Sequence, residues 1–161
     1  KPLDLLKLNK IKRSEMLNYF YMNNKFIWTD EYGVGIQIID EQHRHFFEIV
    51  NKIFALADKE KSTKEELFSL VNELGNYAMY HLGTEEEYFD AFKYPDAVLH
   101  IDNHNKYREM IKKYLNSARN EEADVKKLVE EIASYSGNWL SHHILEVDKK
   151  YTKFFNEHGL K

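Results

Sequence analysis

The sequence predicts an all-α protein, an antiparallel up-down-up-down four-helix bundle preceded by an N-terminal arm and an extra N-terminal helical leader. Three observations predict it. Gly and Pro together supply only eight of the 161 residues, so the chain is poor in the residues that punctuate turns and sheets. Four stretches, at roughly residues 41–58, 64–92, 97–118 and 123–146, carry apolar residues at three- and four-residue spacing. Short polar connections separate them, which makes successive helices antiparallel neighbours.

The elements follow in order. Residues 1–25 hold six Lys and Arg against Asp4 and Glu15, a net +4 that leaves −8 for the remainder of a chain whose formal charge is −4. This segment reads as a helical leader or a linker, with docking to a signalling domain or protein partner as the functional alternative. Next comes FIWTDEYGVGIQIID, in which Gly33 and Gly35 interrupt any helix while Phe26, Trp28 and Tyr32 supply packing surface; it reads as a folded arm. Asp40 is placed to cap the first helix, Ser62 or Thr63 the second with Glu65 or Glu66 nearby, Asp96 the third, and the stretch from Asn120 to Asp124 the fourth. A last short turn is expected near Lys149 to Asn156.

Composition narrows the function. With 43% hydrophobic and 31% charged residues the chain has enough apolar material for one domain with a core. It contains no apolar run of the ~18 residues a membrane span needs and no signal-peptide pattern, so the cytoplasm is the default compartment. The acidic body is a poor partner for nucleic acid. No Cys is present, which excludes thiolate ligands and thiol chemistry, whereas eight His leave imidazole and carboxylate as the available metal ligands.

Helical periodicity sorts those histidines by face. On the first helix His43 shares a stripe with Phe46, Phe47, Val50, Phe54 and Ala57, while His45 sits with Glu41, Glu48 and Lys52 on the solvent side. On the second, His81 continues the stripe of Leu70, Leu74 and Ala78 toward Glu85 and Tyr88; Glu86 and Glu87 turn away and are expected to be solvated. On the third, His100 and His104 are stacked one turn apart on the face that runs through Tyr107, Ile111, Tyr114 and Ala118, a pair able to share one metal ion. The fourth helix places Leu128, Ile132, Tyr135, Trp139 and His143 inward, with His142 at the edge. Asp148 lies five residues beyond His143, about 140° away on an ideal helix, so it joins the site only if the helix loosens or bulges; Glu146 competes on angle. His45, His142 and His158 read as surface residues.

A single inward His is usually a hydrogen-bonded core residue. Five of them with two carboxylates are another matter, because each buried group left unsatisfied costs about 1–3 kcal/mol. Two divalent metal ions would neutralise the carboxylates and use each neutral imidazole as an acceptor.

The segments Trp28 with GIQIIDEQH ending at His43, HLGTE from His81 to Glu85, HIDNH from His100 to His104, and WLSHHILEVD carrying His143 and Asp148 resemble the hemerythrins, particularly bacterial ones. The resemblance spans about residues 26–155 and marks residues 26–158 as the bundle domain. It implies a centre of two iron ions, ferrous or ferric, bridged by oxo or hydroxo, with His100, His104 and His143 on one iron, His43 and His81 on the other, and Glu85 and Asp148 bridging. Asp148 is thereby chosen over Glu146. The resemblance further implies reversible binding of dioxygen at the iron with two His, for storage, transport or sensing, rather than catalysis. Phe46, Phe47, Leu82, Trp139 and Ile144 are placed to line an apolar oxygen pocket. Tyr107 stands where the family usually has Phe; its hydroxyl either reaches the site, bonds to another helix, meets solvent or simply packs. The competing reading is a di-iron enzyme that reduces peroxide or nitric oxide, for which Tyr107 is the one inward acid or base found near the open position.

Overall fold

The computed structural model describes residues 26–161, so the leader at 1–25 lies outside the described residues. An arm with a short 3-10 turn at Asp30–Tyr32 leads into α1 (Gln37–Ala57), α2 (Lys64–Phe92), α3 (Ala97–Arg119) and α4 (Val125–His143). The chain then passes through a π-helical turn, Ile144–Asp148, into α5 (Lys149–Glu157). Among the described residues there is no strand, and no helix is long and apolar enough to cross a membrane. The four long helices form the bundle: α1 packs on α2 and α4, α2 on α3, and the seam between α3 and α4 is the loosest of the neighbouring pairs.

The caps show what punctuates the rods. Thr63 and Glu66 form a reciprocal capping box at the start of α2, and the Asp124 carboxylate accepts from the Lys127 amide at the start of α4. Lys93 takes the left-handed conformation, φ 57°, to end α2 in a turn. Two expected caps are different. α1 begins four residues earlier than the sequence suggested, because Ile36 and Ile39 extend its buried face; Asp40 therefore lies within the helix, where its carboxylate accepts from the amides of Val34 and Gly35. Gly35, at φ +72°, makes the turn that carries those amides back. Asp96 occupies the cap position of α3 without making a side-chain capping bond.

The arm is tied down as a piece of the core. Asn51 clamps it by accepting from the Phe26 amide at 2.6 Å and donating to the Phe26 carbonyl at 2.7 Å. Val34 and Ile36 are fully buried, and the Arg44 guanidinium lies 4.6 Å over the Trp28 ring. The Phe26 ring fills the space beside Gly137, where a Cβ would come within 2.3 Å of it. That close approach moves the buried face of α4. Val129, Ile132, Ala133, Ser136, Gly137, Leu140, Ser141 and His143 are inside, whereas Leu128, Tyr135 and Trp139, expected inward, are half-buried at its margin.

Candidate metal centre

The side chains expected as ligands come from one end of the bundle, near the start of α1, the second half of α2, the start of α3 and the end of α4. His43, His81, Glu85, His100, His104, His143 and Asp148 are all buried there. His100 and His104, one turn apart on α3, turn their Nε2 atoms to within 3.2 Å of His143 Nε2. The π-helical turn answers the angular problem of Asp148, since widening the helix by one residue per turn brings side chains five apart onto one face. Asp148 Oδ1 consequently lies 3.0 Å from His143 Nε2 and 3.2 Å from His100 Nε2, while Oδ2 lies 3.2 Å from His43 Nε2. Glu146 is only half-buried.

Glu85 repeats the division. Its Oε2 stands 3.1 Å from His104 Nε2 and 3.7 Å from His100 Nε2; its Oε1 stands 3.9 Å from His81 Nε2. Each carboxylate thus offers one oxygen to a cluster of three imidazoles and the other to a cluster of two. Ligand atoms of Glu85, His100, His104 and His143 all lie within 4.8 Å of one another, and so do those of His43, His81 and Glu85. The chemistry of the donors fits cations. His43 Nε2, His81 Nε2, Glu85 Oε2 and both Asp148 oxygens are buried without a conventional hydrogen bond, and imidazole nitrogens 3.2 Å apart need a proton or a metal ion between them.

The electrostatics follow from the same contacts. Burial holds His81 down at about 3, in favour of the neutral imidazole. Burial pushes His100 the same way, but the carboxylates of Asp148 and Glu85, 3.2 and 3.7 Å from its Nε2, prevail and carry it up to about 9. Burial opposes ionisation of both carboxylates, yet the surrounding histidines keep Glu85 and Asp148 well below the usual carboxylate range.

Three residues that the sequence reading did not assign to the site steer these groups. Tyr151, on α5 where only a short turn was expected, donates to Glu85 Oε1 at 2.6 Å and stacks on His100. Gln42 accepts from His81 Nδ1 at 3.0 Å, which directs Nε2 of that ring into the centre. Glu86 is a correction: it is not solvated but half-buried, accepting from His104 Nδ1 at 2.8 Å and from Arg108 at 2.7 Å. Their partners lie on other helices, and only the position of Glu86 beside Glu85 and of Tyr151 three residues past Asp148 hinted at these roles. Glu87, His45, His142 and His158 are exposed.

The expected pocket residues divide into groups. Phe46 packs edge-on against His81 at 5.7 Å and near Tyr107 at 6.2 Å, and Trp139 stacks on His143 at 4.3 Å and on Tyr107 at 3.9 Å. Leu82 and Ile144 are fully buried beside ligands in sequence. Phe47 instead lies beneath the arm, against Phe26, Trp28 and Tyr32. Tyr107 is fully buried; its hydroxyl has Ser136 of α4 as a polar neighbour but closes no hydrogen bond.

Residues 34–155 match the hemerythrin HHE cation binding domain family, and the chain belongs to that family. It is 30% identical to the bacteriohemerythrin of Clostridium acetobutylicum over 128 residues, 78% of this chain and 98% of that protein. It is 27% identical to the bacteriohemerythrin of Methylococcus capsulatus over 77% of this chain and 92% of that one. A crystal structure of wild-type hemerythrin is similar with a TM-score of 0.72 and 26% identity, covering 80% of this chain and 95% of the other.

Proposed function

We propose that this chain binds dioxygen reversibly at a di-iron centre held by His43, His81, Glu85, His100, His104, His143 and Asp148, for oxygen storage, transport or sensing. The observation that carries the reading is the split of both carboxylates between a three-histidine and a two-histidine cluster, buried in one end of the bundle. Two irons sharing an oxo or hydroxo bridge supply the reversible two-electron exchange that dioxygen binding requires. The protein supplies the rest. Glu85 and Asp148 fix the spacing of the pair and offset its charge, and Tyr151 holds Glu85 in its rotamer. Gln42 and Glu86 orient the imidazoles they bond. Fewer imidazoles face the His43–His81 side, which leaves room there for a small exogenous ligand, and Phe46 beside His81 keeps that side apolar.

The test is iron content per chain together with the visible spectrum of the reduced protein, recorded before air, after air and after oxygen is removed. Two irons with a visible band that comes and goes with oxygen support the reading. Absence of iron, or an oxidation that oxygen removal does not reverse, overturns it.

A further inference from the structure

We propose that the aromatic rings running from His143 to the groove between α3 and α4 form a one-electron relay, which draws oxidising equivalents from the metal centre to Tyr135 and Tyr114 when the centre meets hydrogen peroxide. The relay rests on the di-iron reading above for the source of the oxidant. Its path is a property of this chain's own rings. Trp139 lies 4.3 Å from His143 with the planes 14° apart, and Tyr107 lies 3.9 Å from Trp139 at 21°. Tyr107 is in turn nearly parallel to Tyr135, at 6.0 Å and 7°, and Tyr135 meets Tyr114 edge-on at 5.7 Å. Electron transfer falls off exponentially with the gap between rings, so a chain whose successive ring centroids lie 3.9–6.0 Å apart outpaces any jump through aliphatic core.

The far end of the path is built to release a proton. An open groove of about 600 Å³ follows the loose α3–α4 seam, lined by Met110, Tyr114, Glu131, Tyr135 and Trp139 among others. Tyrosine gives up an electron readily only if its phenolic proton leaves as well. Tyr135 and Tyr114 border that groove, and the Glu131 carboxylate stands beside the Tyr114 hydroxyl. Tyr107, fully buried with no hydrogen bond to its hydroxyl, couples Trp139 to Tyr135 through its ring without being the place where oxidation ends. The ring path from His81 is different in kind: it runs through Phe46 to Tyr77, and phenylalanine is far harder to oxidise.

The electrons balance. Hydrogen peroxide becomes two waters by taking two electrons and two protons. When one iron of the pair is already ferric, the ferrous iron supplies one electron and is oxidised to ferric. Tyr135 or Tyr114 supplies the other and becomes a neutral tyrosyl radical; its phenolic proton and one from solvent complete the two waters.

The experiment adds one equivalent of hydrogen peroxide to the half-reduced, iron-loaded chain. A tyrosyl radical is sought by freeze-quench electron paramagnetic resonance, and spin-trap adducts are located by peptide mass spectrometry, with the iron-free chain as control. Adducts at Tyr135 or Tyr114 that require iron support the relay. The Tyr114→Phe, Tyr135→Phe double variant should keep the reversible oxygen band and lose the tyrosyl signal, with oxidation retreating to Trp139 or His143. Tyr107→Phe, which keeps the packing against Trp139 and Tyr135 but puts a ring far harder to oxidise in the path, should lose the adducts at both tyrosines; adducts that persist in it overturn the relay. Adducts on Tyr151, Tyr94, Tyr77 or Tyr80 instead, no tyrosyl radical at all, or the same pattern without iron, overturn the relay alone. A chain that takes up no iron at all fails before peroxide is added, and the di-iron reading falls with it.

Discussion

The two ends of the bundle are built on opposite rules. At the far end, Ile53, Leu67, Val71, Ile111, Val129, Ile132 and Ala133 meet in an apolar packing that asks nothing of a ligand. Lys126 closes that end by donating to the carbonyls of Ala57 and Lys59 past the C-terminus of α1, where the helix dipole favours a cation. At the near end the same four helices bury five imidazoles and two carboxylates, several of whose atoms lack any hydrogen-bond partner. The contrast teaches that folding and function draw on different halves of one core. The far end stabilises the bundle, and the near end carries a desolvation cost that cations held there would offset.

That division is most directly broken at Glu85. Its two oxygens serve both histidine clusters, so Glu85→Ala removes charge compensation and spacing together; we expect loss of one or both irons, read as metal per chain after desalting. Full occupancy in the variant would refute the bridging assignment. The opposite experiment is Ile53→Ala. Its side chain is fully buried at the apolar end, and truncation should cost about 2–5 kcal/mol in denaturant unfolding of the metal-free chain. Iron per folded chain should stay unchanged. A variant that lost metal in proportion to stability would show that the two ends are not separable.

How much of this was legible in the sequence depended on whether a residue's partner lay on its own helix. On α3 the stripe of His100, His104, Tyr107, Ile111, Tyr114 and Ala118 is the buried set, because that helix presents one face to its neighbours. On α4 hydropathy pointed to Tyr135 and Trp139, while the helix turns Ser136 and Gly137 inward. Small residues carry little hydropathic weight, yet they are what permits the Phe26 ring to approach. Asp148 was legible only as a condition, that the helix widen, and the π-helical turn meets it. Gln42, Glu86 and Tyr151 could not be read from periodicity, since each acts across helices on a side chain presented by another element.

The smallest expected effect separates two His–Glu pairs that look alike. His45 Nδ1 bonds Glu48 at 2.9 Å and His104 Nδ1 bonds Glu86 at 2.8 Å. The first pair is exposed on α1, its imidazole turned away from the core, so His45→Ala should change stability by no more than about 0.5 kcal/mol and leave metal binding as it was. The second joins a buried imidazole to a half-buried carboxylate that Arg108 also holds, so Glu86 sets both the tautomer and the direction of the His104 ring. Glu86→Ala should therefore weaken metal retention by roughly 10- to 100-fold in competition with a chelator, with little change in the fold. Equal retention in the two variants would mean that the rigid α2–α3 packing alone aims His104, and that the carboxylate beneath it contributes no more than its counterpart on the surface.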